Sequence, residues 1–153
     1  MKIVIGCDNA AIELKTVLLN FLNQLGMCTE DVGCFSDQDN EYYPLIAQRV
    51  CQRVQQGEPG ETIRGVLLCG TGIGMAMTAN KFKGIRAAVC HDTYSAQRSI
   101  LSNNGNVLCL GARVIGNKLA KVILGEWISL EFKDSPSTQK LAAIQAIESR
   151  NFR

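Results

Sequence analysis

The sequence predicts an α/β fold: a three-layer sandwich with helices on both faces of a five-stranded, parallel, doubly wound sheet, and one extra helix at the C-terminus. Three observations predict it. Short apolar runs rich in β-branched residues alternate with segments of helical period along the chain. The 153 residues, 46% of them hydrophobic, suffice for one sizeable core and fit one domain, residues 1–153. No internal repeat, low-complexity tract or linker interrupts them.

Taken in order, Ile3 to Cys7 is an apolar run of strand length, and Ala10 to Leu25 has the helical period. Cys28 to Val32 reads as the second strand and Tyr43 to Gln55 as the second helix. Gly65 to Cys69 is a buried strand, Ile73 to Lys81 a helix, Ile85 to Cys90 a strand, Tyr94 to Leu101 a helix and Asn106 to Leu110 the fifth strand. Two helices close the chain, Asn117 to Leu130 and Ser137 to Glu148, parted by the polar break of Asp134, Ser135 and Pro136. Right-handed crossovers between such strands give a Rossmann-like parallel sheet, whose ligands sit at the carboxyl ends of the strands. Those ends are Cys7 to Asn9, Cys69 to Gly74, Cys90 to Asp92 and Gly111 to Arg113. The last helix has no strand left to cover, which points to packing on another subunit.

The charge balance excludes several functions. Sixteen basic and 14 acidic residues leave a formal charge of +2, without the basic stripe of a nucleic-acid partner. No apolar run approaches the ~20 residues that span a bilayer, and the N-terminus lacks a secretory pattern, so neither a membrane nor export is expected. The seven cysteines are odd in number and lie in or beside apolar runs, as expected of reduced thiols in a cytoplasmic protein. With no Cys-x-x-Cys pair and a single histidine, His91, a zinc site is not expected, and neither is a cofactor.

The most informative stretch is Val66-Leu67-Leu68-Cys69-Gly70-Thr71-Gly72-Ile73-Gly74, a buried strand entering a glycine-rich turn that opens a helix. Glycines let the backbone approach a ligand, and a helix N-terminus offers unpaired N–H groups and partial positive charge. That field also favours the thiolate of a cysteine placed there. A thiolate beside N–H donors suits three chemistries. A cysteine phosphatase needs Cys-x5-Arg, but the arginine position holds Met75. Dinucleotide binding needs Gly-x-Gly-x-x-Gly in the first βα turn, whereas this chain has Gly-x-Gly-x-Gly after the third strand. Proton abstraction next to a carbonyl needs a weak base and donors for the developing enediolate oxygen, and Cys69 with its loop supplies both. Asp8 suits a helix N-cap, a ligand contact, or both. His91, before Asp92 and Thr93, reads as an exposed turn residue.

With these residues in place, the chain resembles the family of ribose-5-phosphate isomerase type B and the galactose-6-phosphate isomerase subunits. The matching pieces run over nearly its full length: GCDNAA at Gly6 to Ala11, YYP at Tyr42 to Pro44, LLCGTGIG at Leu67 to Gly74, ANKFKGIRAAVC at Ala79 to Cys90, YSAQ at Tyr94 to Gln97, and NVLCLGARVIG at Asn106 to Gly116. The resemblance implies an aldose–ketose isomerase of a small phosphorylated sugar, of the ribose 5-phosphate/ribulose 5-phosphate type, and a homodimer or homotetramer with active sites shared between subunits. It implies Cys69 as the proton-abstracting base and the backbone of Gly70, Gly72, Ile73 and Gly74 as the enediolate hole. It places Thr71 beside the reacting carbons, Asp8, Asn103 and Arg113 on the sugar, and Tyr43 on the pocket wall.

The chain also departs from that family. Asn9 stands where type B ribose isomerases have a substrate-holding histidine, and Ser102 where they have the ring-opening histidine. The two phosphate-gripping arginines correspond to Pro136 and Lys140. One expectation is an isomerase whose substrate needs no ring opening. A tetrose 4-phosphate lacks a free 4-hydroxyl and cannot close a furanose, and His91-Asp92-Thr93-Tyr94-Ser95-Ala96 with Leu101-Ser102-Asn103-Asn104 resembles a branch that isomerises tetrulose 4-phosphates. The alternative is a non-catalytic or partner-dependent sugar-phosphate-binding subunit, as in two-subunit galactose-6-phosphate isomerase.

Overall fold

The computed structural model describes residues 1–152. Five parallel strands form one sheet: β1 (Lys2–Cys7), β2 (Cys28–Asp31), β3 (Ile63–Cys69), β4 (Ala87–Val89) and β5 (Val107–Gly111), in the order β2-β1-β3-β5-β4. Six α-helices connect or follow them: α1 (Ile12–Gln24), α2 (Tyr43–Gln55), α3 (Ile73–Ala79), α4 (Thr93–Leu101), α5 (Asn117–Ser129) and α6 (Ser137–Asn151). The three-layer α/β sandwich expected from the sequence is the fold observed.

The layers follow from the strand order. From β1 the chain steps outward to β2, then back across β1 to β3, so α1 and α2 lie on opposite faces. α2 packs on α3, and α5 packs on both α1 and α4. The chain therefore leaves β1 and β3, which are hydrogen-bonded neighbours, toward opposite faces. The crevice this opens at their carboxyl ends lies between Asp8 and the turn after Cys69.

Central strands read as continuous apolar runs because both faces are covered: every residue of β5, and all but the first of β1 and β3, is buried. The edge strands β2 and β4 are only half-buried. β4 is shorter than the Ile85 to Cys90 expected, because side chains take over its hydrogen bonds. The Asn80 carboxamide exchanges two 2.9 Å bonds with the backbone of Ala87, and Asn106 Oδ1 accepts the Arg86 N–H at 2.7 Å. Asn80 thereby ends α3 before Lys81 and closes the outer edge of β4. The first helix likewise starts later than expected. Asp8 Oδ1 accepts the Ala10 N–H at 3.0 Å and caps a 3-10 turn, Asn9–Ala11, ahead of α1.

One buried polar contact locks the far end of the sheet to the helices. Arg64, at the start of β3, donates to the carbonyls of Trp127 (3.0 Å) and Leu130 (2.7 Å), with its guanidinium 5.3 Å from the Trp127 ring centroid. The fully buried Trp127 in turn donates its indole N–H to Ser99 Oγ at 3.1 Å. Burial raises the thiol pKa of Cys7 and Cys51 to about 12, raises those of Cys34 and Cys90, and lifts that of Cys109 well above its ordinary value.

Helix α6 extends to Asn151, beyond the expected Glu148, and buries none of its residues. Its Glu148 carboxylate accepts the Gly84 N–H at 2.7 Å. Ile144 and Ile147 overhang a cavity of about 430 Å³ floored by Ile85, Ala87 and Ala88. Among the described residues no helix is long and apolar enough to cross a membrane.

Candidate active site

The turn from β3 into α3 is built around one sulfur atom. Cys69 is 6% exposed, and its Sγ accepts the Gly72 N–H at 3.0 Å. Gly72 has φ +77°, and a Cβ there would lie 3.0 Å from the Leu110 backbone, so both conformation and space call for glycine. The loop is walled on two further sides. A Cβ on Gly74 would fall 2.6 Å from the Tyr43 ring, and one on Gly111 would fall 2.7 Å from the Thr71 backbone. Thr71 Oγ1 accepts the Ile73 N–H at 3.3 Å. The N–H groups of Gly70 and Thr71 bond to nothing among the described residues. They are open donors within two residues of the thiol.

Around this turn the sheet collects the side chains expected from sequence. Asp8 follows β1, its N–H bonded to the Leu68 carbonyl at 3.1 Å, which sets it beside the end of β3. Burial raises the Asp8 carboxyl pKa, against the Ala10 N–H and the Arg113 charge that lower it. Arg113 donates its backbone N–H to the Gly70 carbonyl at 3.0 Å, and its side chain runs along Gly70. Asn9 and Tyr43 line a cavity of about 340 Å³ with Asp8, Asn40 and Glu41. The sequence did not single out Glu41. Its carboxylate takes two bonds from Arg49, 2.5 and 2.7 Å, and so anchors the loop before Tyr43. A bidentate pair of this kind has no short-range sequence pattern.

His91 corrects an expectation. It is half-buried rather than an exposed turn residue, and its Nε2 accepts the Gly111 N–H at 2.9 Å. Gly111 is the register partner of Cys69. Burial lowers the imidazole pKa, with Asp92 opposing it more weakly.

A family model described as Ribose/Galactose Isomerase matches residues 3–144. The chain belongs to that family. The family's D-erythrulose-4-phosphate isomerase from Pectobacterium atrosepticum is 47% identical over 144 residues, 94% of this chain and 93% of that one. Ribose-5-phosphate isomerase B of Escherichia coli is 41% identical over 149 residues, 97% of each chain. The solved ribose-5-phosphate isomerase B of Clostridium thermocellum matches with a TM-score of 0.91 at 37% identity, over 98% of this chain and 99% of that one. As a member of the ribose/galactose isomerase family the chain is an enzyme, one that interconverts aldoses and ketoses.

Three expected site residues of this isomerase do not reach Cys69 within the chain. Ser102 and Asn103 follow α4 and precede β5, at the amino end of the sheet, where the Ser102 N–H and Asn103 Nδ2 both donate to the Arg98 carbonyl at 3.0 Å. Cys69 pairs with Gly111 at the carboxyl end, and Val107 to Gly111 rises about 13 Å at ~3.3 Å per residue. Asn103 instead borders the cavity under α6. Lys140 is exposed in the first turns of α6 and makes no hydrogen bond or ion pair among the described residues. Antiparallel return of α4 along the sheet dictates this separation, which a linear motif does not reveal.

Proposed function

We propose that this isomerase interconverts a tetrose 4-phosphate and its tetrulose 4-phosphate through a cis-enediolate, with Cys69 as the base. The observation that carries the reading is the Cys69 Sγ bonded to Gly72 N–H at 3.0 Å beside the open N–H groups of Gly70 and Thr71. The thiolate removes the proton from the carbon next to the carbonyl. The C–H electron pair becomes the C=C bond, and the carbonyl π pair moves onto oxygen, where the loop amides stabilise it. Cys69 then returns the proton to the neighbouring carbon, while the Thr71 hydroxyl passes a proton between the two oxygens. Nothing is oxidised or reduced overall.

Asp8, Asn9 and Arg113 hold the sugar hydroxyls, and Tyr43 walls the pocket. Ser102 and Asn103 enter from a second copy of the chain, with Lys140 on the phosphate as a point charge rather than an arginine fork. A homodimer is the smallest assembly that joins the two ends of the sheet. Ser102 and Asn9 favour a substrate that is already open-chain, and the 47% identical relative is a D-erythrulose-4-phosphate isomerase. Seven cysteines, none joined in a disulfide, suit a reducing cytoplasmic setting.

The test incubates the protein in heavy water with erythrose 4-phosphate, ribose 5-phosphate and allose 6-phosphate separately, following C2 deuterium and ketose by NMR. Exchange fastest on the tetrose is expected. Faster turnover of ribose 5-phosphate would replace the tetrose with a pentose, and inertness toward all three would remove the reading.

A further inference from the structure

The reaction above gives His91 no part, yet its imidazole is hydrogen-bonded to Gly111, the strand partner of Cys69. β4 stops at Val89, and its last ladder bond runs from the Cys90 N–H to the Cys109 carbonyl at 3.2 Å. β5 continues to Gly111, whose N–H finds no backbone acceptor on β4 and is taken by His91 Nε2 at 2.9 Å. On its other side Gly111 abuts the Thr71 backbone with no room for a methyl group. The turn beyond it is tied to the catalytic loop, Ala112 N–H to the Cys69 carbonyl at 2.8 Å and Arg113 N–H to the Gly70 carbonyl at 3.0 Å. The Gly111 carbonyl closes that turn by accepting the N–H groups of Val114 and Ile115 at 3.0 and 3.2 Å. One layer of backbone separates the imidazole from the loop that holds Cys69.

We propose that His91 is a positioning residue of the isomerase: its neutral imidazole holds Gly111, and through Gly111 the Cys69–Thr71 loop, so that protonating it releases the loop and stops turnover. The proposal rests on the isomerase reading. An acceptor at Nε2 requires the proton on Nδ1. A second proton would set Nε2–H against the Gly111 N–H, two donors face to face. Burial in this crevice favours the neutral form. The charged group on its own turn is Asp92, already engaged by the Ser95 N–H at 2.7 Å and hydroxyl at 2.6 Å. Other titratable groups on the surrounding elements include the thiols of Cys69 on β3, Cys90 after β4 and Cys109 on β5, the Tyr94 hydroxyl and Arg98 guanidinium on α4, and the Arg113 guanidinium beyond β5. None of these offers Gly111 a substitute acceptor among the described residues.

His91 is the chain's single histidine, so its ring nitrogens give unambiguous signals in 15N NMR. The experiment titrates the labelled wild type, His91→Gln and His91→Ala from pH 8 to pH 5, reading imidazole nitrogens, the Gly111 and Gly72 amides, and turnover of the preferred sugar phosphate. The Nδ1–H tautomer is expected, with the Gly72 amide moving at the imidazole's own midpoint. Turnover should fall tenfold or more across that midpoint. His91→Gln supplies an uncharged oxygen acceptor, so it should keep most neutral-pH turnover and lose that step. His91→Ala should lower kcat tenfold or more while moving KM less than threefold. The Nε2–H tautomer, or a Gly72 amide indifferent to both titration and His91→Ala, would overturn the proposal. A wild type inert toward every sugar phosphate, but with a Gly72 amide that follows the imidazole, sinks the isomerase reading and supports the positioning link.

Discussion

The Gly72 amide points at the Cys69 sulfur, 3.0 Å away, so the turn that opens α3 folds back onto the residue that ends β3. Replacing the sulfur should separate chemistry from structure. Cys69→Ser keeps an acceptor for Gly72 and should fold normally, with a melting temperature within a few degrees of wild type. Its turnover should drop by about 10²–10⁴-fold, the usual contribution of a positioned base. Cys69→Ala also orphans a buried amide and should lose a further ~1–3 kcal/mol of stability. Turnover within tenfold of wild type in both variants would show that another group moves the proton.

Gly74 and Tyr43 give a second test. An added methyl at Gly74 meets the Tyr43 ring at 2.6 Å, and that ring lies at the first position of α2. Gly74→Ala should therefore displace the ring from the cavity and raise KM several-fold. Gly74→Ala with Tyr43→Ala removes the collision and should recover part of the lost affinity. An unchanged KM in the single variant would mean that the ring does not wall the substrate.

Trp127 is the only tryptophan, fully buried and hydrogen-bonded to Ser99 Oγ at 3.1 Å. Trp127→Phe removes the indole N–H and leaves a void beside Arg64. A loss of about 2–3 kcal/mol is expected in urea unfolding, with kcat little changed because the contact lies at the other end of the sheet from Cys69.

Acid should weaken the loop that carries Tyr43. Arg49 holds the Glu41 carboxyl below its ordinary value. A carboxyl lowered on folding stabilises the native state above the ordinary carboxylate range, and that contribution disappears as pH falls through the lowered value. Both side chains are partly exposed, so the pair contributes about 0.5–1 kcal/mol. Glu41→Gln should be destabilised by that amount at pH 7 and converge on wild type in thermal unfolding as pH falls through the lowered value.

Strands β1, β3 and β5 were legible because burial on both faces leaves apolar residues to write them, with Lys2 and Arg64 confined to the strand starts. The glycine turn was legible because close backbone approach admits one residue type at Gly72 and Gly74. β4 was misjudged in length because its ends are closed by the carboxamides of Asn80 and Asn106, contacts made across the fold and leaving no periodic trace. His91 was misread for a related reason: its partner depends on β5 outrunning β4, a matter of register. The remoteness of Asn103 from Cys69 comes from the return of α4 to the amino end of the sheet, which sets the turn before β5 opposite the turn after β3, a relationship that a linear motif does not display.

The raised thiols have a consequence for covalent labelling. Five of the seven cysteines stay protonated inside the core, as inert toward an electrophile as a methyl group. Cys28 is exposed on the surface, and Cys69 lies in the glycine turn with its Sγ 3.0 Å from the Gly72 N–H, next to the open amides of Gly70 and Thr71. A chain with Cys28→Ser thus presents a haloketone phosphate with a single address, and one dye or crosslinker per protomer then reports on the site without further engineering.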